Sequence, residues 1–262
     1  MKSNKWKFLL TGAATLTLLT ACTQASSQSA TKSNTAQTTA TSTSKNKTNN
    51  SNYFTDKDKD SSYDESKAST VKLSGSSANV SGDGVAVSGS TVTISKAGTY
   101  VISGESDGVQ IKVEAGDSDD VHIVLKGVTM TNTNAPISAT KAGHVYLTLA
   151  DGTTNTLSDS SSNNDEDADA VIFSKGDLTI KGSGTLNIDA KKNNGIKAND
   201  TLHITGGTYK ITAVGDAFNV NDELNITGTT MTIDADEDAV KVDNDEDTSV
   251  GTMYLSDNKM TI

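Results

Sequence analysis

The sequence predicts an all-β fold: a parallel β-helix of three-strand coils with a period near 22 residues, carrying an N-terminal β cap and following a disordered linker. Three observations predict it. From residue 170 onward four runs align, VIFSKGDLTIKGSGTLNIDA, GIKANDTLHITGGTYKITA, AFNVNDELNITGTTMTIDA and AVKVDNDEDTSVGTMYLSDNKMTI, and their first apolar positions, Ile172, Ile196, Phe218 and Val240, are 24, 22 and 22 residues apart. A fixed period of this length, filled with short strands and turns, is the mark of a stacked solenoid. Each run holds three short segments in which apolar residues alternate with others, the two-residue period of a strand, and nothing in it has helical spacing. Glycines stand between the second and third segments (Gly182, Gly206, Gly207, Gly228), where a sharp corner needs backbone angles that a Cβ discourages.

The elements follow in chain order. Lys2, Lys5 and Lys7 precede an apolar stretch, Phe8 to Leu19, and then Leu19-Thr20-Ala21-Cys22. This reads as a signal peptide over 1–21, too short to span a bilayer by itself. A single cysteine after a small residue at its end matches the lipobox of bacterial lipoproteins, so Cys22 is the expected lipidation site, on the extracellular face of the cell membrane. No second cysteine exists to form an intramolecular disulfide. Residues 22–70 are Ser-, Thr- and Asn-rich, too polar to offset the entropy of ordering, and read as a linker. As a flexible coil it would span roughly 40 Å. Residues 71–262 read as the folded domain. Within it 71–110 alternates strongly and is expected to cap the first coil. Ile111 to Leu149 supplies two less regular coils. The acidic run SDSSSNNDEDAD after Leu157, and a second stretch from Asp243 to Thr252, read as loops that interrupt the period. The chain stops at an inward position of a third strand, Met260 and Ile262, which predicts truncation or an open end that docks another copy.

The formal net charge is −11, and removing the three signal lysines gives −11 − 3 = −14; there is no arginine. This speaks against nucleic acid as a partner and for cations. The acids gather at coil corners: Asp167, Asp169, Asp216 and Asp238 before first strands, Asp200, Asp222, Asp243 and Asp245 after them. Carboxylates stacked about 4.8 Å apart repel by a few kcal/mol before screening, to order of magnitude. Ca²⁺, which takes six to eight oxygens, is one way to relieve this, and these eight aspartates are its candidate ligands. Aspartate and asparagine favoured for turn geometry alone are the other reading. The nonapeptide of calcium-binding toxin repeats is absent. Lys197, Asn219 and Lys241 share one outward column and are the candidate ligand-binding residues.

GTYVISGESDGVQIKVEAGDSDDVHIVLKGVTMTNTNAPISATKAGHVYLTLADGTTNTLSD, followed by DADAVIFSKGDLTIKGSGTLNI and the NNGIKAND and EDAVKVDND coils, resembles the β-helical carbohydrate-binding domain family of bacterial surface lipoproteins. The resemblance covers about 71–262. That family is similar in fold to calcium-dependent pectate lyases. It implies a right-handed coil, calcium at the turns, and a polysaccharide partner, acidic polymers such as polygalacturonate included. The family's Asp-Asp-Gly turn reads here Asn193-Asn194-Gly195, Gly215-Asp216-Ala217 and Glu237-Asp238-Ala239, so charge is missing at the first two corners.

Two activities compete with a third, inert role. Non-catalytic, calcium-dependent binding of a uronate polymer needs no aromatic stacking and suits a chain that is 4% aromatic, with its one Trp (Trp6) in the signal. A pectate-lyase-like β-eliminase would need calcium and a neutral base. Lys197 and Lys241 are the available bases, yet neighbouring carboxylates suit them better to ion pairing. An adhesin or spacer is the third. His122, His144 and His203 read as surface strand residues, and Tyr146, Phe173, Tyr209 and Phe218 as core or strand residues.

Overall fold

The structure, a computed structural model, describes residues 53–262. The signal peptide, Trp6, Cys22 and the first part of the linker lie outside the described residues. The chain opens with a four-residue helix α1 (Asp56–Lys59) and a 3₁₀ turn (Glu65–Lys67). The strands follow: β1 (Ser69–Gly75), β2 (Ser77–Ser81), β3 (Val85–Ser88), β4 (Thr91–Ile94), β5 (Gly98–Asp107), β6 (Gln110–Glu114), β7 (Asp120–Thr131), β8 (Ile137–Lys141), β9 (His144–Leu149) and β10 (Thr154–Ser158). The regular part comprises β11 (Ala170–Ser174), β12 (Leu178–Gly182), β13 (Thr185–Ala190), β14 (Asn194–Ala198), β15 (Thr201–Thr205), β16 (Thr208–Ala213), β17 (Phe218–Val220), β18 (Glu223–Thr227), β19 (Thr230–Ala235), β20 (Lys241–Val242), β21 (Thr252–Ser256) and β22 (Lys259–Thr261).

The fold is all-β with two long sheets, parallel except for the antiparallel pairs β1–β2 and β3–β4. From β8 onward each strand pairs with the strand three further along: β8, β11, β14, β17, β20 on one face, β9, β12, β15, β18, β21 on the second and β10, β13, β16, β19, β22 on the third. The register matches the repeat alignment rung by rung. Ile172 faces Ile196, which faces Phe218; Leu178, Leu202, Leu224 and Met253 form a second line; Leu186, Tyr209, Met231 and Met260 form a third. These lines meet inside as one apolar core in which residues such as Ile180, Ile204 and Ile226 are fully buried, each worth roughly 1.5–3 kcal/mol of transfer free energy.

Corner chemistry keeps the stack close. Gly182 has φ +102°, and a Cβ there would meet the Leu149 carbonyl oxygen at 2.3 Å, so the turn onto the third face admits glycine alone. In β7 the second and third faces are still one bent strand; buried Asn155 accepts the amides of Gly127 and Val128 at its bend, each at 3.0 Å.

Two expectations need correction. The composition predicts linker through residue 70, yet residues 53–68 carry α1 and the 3₁₀ turn; the polar composition is offset by side chains elsewhere that bind this segment. The alternation predicts an N-terminal cap over 71–110, yet β4 and β5 already stack in parallel on β6 and β7, so coiling begins earlier. Only β1–β2 and β3–β4 depart from it. The two acidic stretches do interrupt the strands, between β10 and β11 and between β20 and β21.

Candidate polysaccharide-binding site

The structure brings the three candidate ligand residues onto consecutive rungs: Lys197 faces Asn219 and Asn219 faces Lys241. The column continues downward through Phe173, Ser138 and Lys112. All three polar heads are held by acids of the neighbouring corners. Lys197 Nζ lies 2.6 Å from Asp169 Oδ1, both half-buried; Asn219 donates to Asp216 Oδ2 at 2.7 Å; Lys241 Nζ is 3.7 Å from Asp243 and more exposed.

The recurring corner residues have a structural role that their spacing conceals. Asn194 Oδ1 accepts the amide of Asp216, and Asp216 Oδ1 accepts the amide of Asp238, each 22 residues on, at 3.1 and 3.0 Å. A side-chain oxygen at each corner thus takes up a backbone N–H of the next coil that the ladder leaves over. Asparagine and aspartate serve equally, which is why the charge can be absent at the first corner.

That arrangement decides how the acids fit a shared Ca²⁺. Asp169 accepts from Lys197 on one oxygen and from Asn193 and Asn194 on the other, at 2.5 and 3.3 Å. Both oxygens of Asp216 and one of Asp222, which accepts from Asn244 at 2.7 Å, are likewise engaged by protein donors. Burial, then repulsion from Asp177 and Asp222, pushes the Asp200 carboxyl up. Asp167, Asp238, Asp243 and Asp245 are exposed. Among the described residues no three His, Cys, Asp or Glu side chains converge closely enough to hold a metal ion. Asp169, Asp216 and Asp222 do not fit a shared calcium ion as they stand, because ammonium and amide donors already occupy their oxygens.

A second outward surface escaped the sequence reading. On the third face Thr185, Thr208 and Thr230 form one column with Lys259, and Thr129, Thr156, Asn187, Lys210, Thr232 and Thr261 form the next. Thr208, Lys210, Thr212, Thr230 and Thr232 are exposed, so this face is an open array of hydroxyls. Its signal was in plain view as the polar positions of TLNID, TYKIT and TMTID.

The second face is covered instead. Its column runs His122, Tyr146, Thr179, His203, Asn225, Tyr254, and residues 53–63 lie along it as a strap. Tyr53 stacks on Tyr254 with ring centroids 3.8 Å apart, and its carbonyl accepts from Asn225 at 3.2 Å. Phe54 meets His203 edge-on. Lys57 lies over the Tyr146 ring and pairs with Asp120, and Tyr63 meets His122 edge-on. At the centre is Asp58, 1% exposed. Its Oδ1 accepts from Thr179 at 2.7 Å, and its Oδ2 closes a capping box on Thr55. His203 Nδ1 sits 3.3 Å from Oδ2, an electrostatic contact rather than a well-formed hydrogen bond. Burial alone would push the Asp58 carboxyl up; the contacts with His203, Thr179 and Thr55 outweigh it and hold it well below the usual carboxylate range. Since Thr179 donates to Asp58, it must accept from His144 Nε2 at 2.9 Å, which places the His144 proton on Nε2. The three histidines are therefore half-buried members of the strap interface rather than open surface residues. Tyr146 is buried too, under the strap, with its hydroxyl pushed up to about 12 by burial and by Asp120 and Asp58.

The family profile for carbohydrate-binding domain-containing proteins matches residues 88–262, the residues that build these ladders. The chain belongs to that family. A carbohydrate-binding domain-containing protein of Acetivibrio thermocellus is 39% identical over 126 residues, 46% of this chain and 44% of the relative, so the match spans less than half the relative's length. Among solved structures, a polysaccharide lyase-like protein from C. thermocellum, studied as a gadolinium derivative, is similar with a TM-score of 0.71 and 34% identity over 74% of this chain and 81% of the other.

Proposed function

We propose that this carbohydrate-binding domain holds extracellular polysaccharide without cleaving it, from a lipoprotein anchored through Cys22 to the outer face of the cell membrane. The observation that carries the proposal is that the residues matched to the family are those whose parallel register sets like side chains above one another. A ladder of this kind offers a polymer the same contact at each step. The pairing of every third strand supports a parallel β-helix, right-handed as parallel crossover connections nearly always are, and the polysaccharide lyase-like relative supports a relation to polysaccharide lyases.

For an acidic polymer the contact column is Lys197, Asn219 and Lys241, with uronate carboxylates exchanging for the aspartates that now hold these side chains. Lys241 is the most available of the three. Calcium enters this proposal no further than the exposed corners Asp167, Asp238, Asp243 and Asp245, because Asp169, Asp216 and Asp222 already carry protein donors. A β-eliminase is the weaker reading: the Nζ of Lys197 is engaged by Asp169. A second binding reading has its own observation, the exposed hydroxyl array around Thr208, Lys210 and Thr232, which suits a neutral polymer.

Retention of the protein on polygalacturonate and on neutral insoluble glycans, at low and at high salt, tests the proposal. Salt-sensitive retention on polygalacturonate favours the lysine column, and salt-insensitive retention on a neutral glycan favours the hydroxyl array. Retention on neither, or release of unsaturated product, would count against it.

A further inference from the structure

Where the strap ends, a cleft of about 360 Å³ opens between Ser61, Ser62 and Tyr63 on one side and Thr148, Asp151 and Ser183 on the other. The volume is at the lower end of the range for small-ligand sites, about enough for one or two sugar rings. Its walls are fixed. Lys126, which also lines the cleft, holds Glu65 with both carboxylate oxygens at 2.8 Å and so ties the far end of the strap to β7. Tyr63 packs against Val101, Val124 and Ala150. Thr148, 1% exposed, bonds His122 Nε2 at 2.7 Å.

What the walls leave open is polar. Ser61 and Tyr63 bring hydroxyl side chains to the cleft wall, while the Ser62 side chain is engaged by Asp60. Asp151 accepts from Ser183 at 2.6 Å on Oδ1 alone, leaving Oδ2 to a ligand. The Ser61 and Tyr63 hydroxyls that donate and accept, one carboxylate oxygen that accepts, and one aromatic ring describe a site for a molecule that is itself a ring bearing hydroxyls. Its charge follows from the same residues. Glu65 neutralises Lys126, while Asp151 remains, so a uronate would be repelled and a neutral sugar would not.

We propose that this cleft is a subsite for a neutral sugar unit, formed jointly by the strap and the coils. It rests on the carbohydrate-binding reading but not on the lysine column, which lies on another face. The test is an NMR titration of the full chain with cellobiose, xylobiose and mannobiose in turn, and with digalacturonate as the charged counterpart. At least one neutral disaccharide is expected to move the amides of Ser62, Tyr63, Asp151 and Ser183 along a saturable curve. Asp151→Ala and Tyr63→Phe, which leave the packing of Tyr63 in place, are each expected to weaken that curve about tenfold, the effect of losing one good hydrogen bond to a charged or buried partner, whereas Lys192→Ala, at an exposed position outside the cleft and the lysine column, should leave it unchanged. Absence of saturable shifts for all three neutral sugars, tighter binding of digalacturonate, or indifference to both cleft substitutions would overturn the subsite. If polymer retention persists while the cleft stays silent, the subsite alone is wrong; if both are lost, the carbohydrate reading goes with it.

Discussion

Asp58 and Thr179 are 121 residues apart in the chain, and their Oδ1 and Oγ1 atoms are 2.7 Å apart. That contact fixes a polar N-terminal segment across the stack of coils. Around it Lys181 Nζ donates to the Lys57 carbonyl at 2.7 Å and Thr205 to the Asp58 carbonyl at 2.5 Å. The strap therefore spans β12 and β15, with the Lys57 and Asp58 carbonyls each taken up by a side chain of the coils.

Asp58→Ala leaves the Thr179 hydroxyl and the His203 ring facing an empty, buried space. A loss of about 1–3 kcal/mol is expected, visible as a lower melting temperature. Trypsin should also cut faster at Lys57 and Lys59. Unchanged digestion would show that the strap is held by other contacts.

Acid should loosen the same face in two stages. Burial and Lys181 push His122 down to about 4, and burial pushes His144 down as well. The unfolded chain takes up these protons below its ordinary histidine value near 6.5 while the folded one resists until lower pH, so stability falls as pH drops from about 6.5 toward 4, by roughly 3 kcal/mol for His122. Asp58, held low in the fold, adds its own loss below its ordinary value near 4. Melting temperatures between pH 8 and 3 check this. A flat profile down to pH 4 would rule out the histidine contribution.

Thermal melts in millimolar Ca²⁺ and in chelator should coincide within about a degree, because a ligand stabilises only if the native state holds it and the inner corner carboxylates already have protein donors. A calcium-dependent rise of several degrees would place an ion at the exposed corners.

Lys197→Met removes the ammonium from a half-buried pair and leaves Asp169 with amide donors alone. About 1–3 kcal/mol of stability should go, and Asp169→Asn in the same chain should restore part of it. Retention on polygalacturonate should fall with Lys197→Met and with Lys241→Met. Full retention by both variants would remove the column from the binding face.

Cys22→Ser should abolish lipidation, releasing the protein into the medium or leaving an unprocessed precursor. Cell fractionation decides it. A processed Cys22→Ser protein that stays firmly on the membrane would show a different anchor.

The sequence by itself determined the coil. Its 22-residue period and two-residue alternation named the rungs, since stacking in register demands like residues one period apart, and Ile172, Ile196 and Phe218 do lie above one another. It also marked glycine at corners such as Gly182, where backbone geometry is local. Only the tertiary structure decided what the polar residues do. The periodic Asn194, Asp216 and Asp238 looked like a cation ladder because sequence shows charge and spacing but not donors; in space their oxygens meet the next coil's amides and the side chains of Lys197 and Asn219. Residues 53–63 looked like linker because their own composition cannot fund a fold. Their partners, Thr179, Lys181, His203 and Asn225, are more than a hundred residues away, and a contact over that distance leaves no periodic trace in either segment.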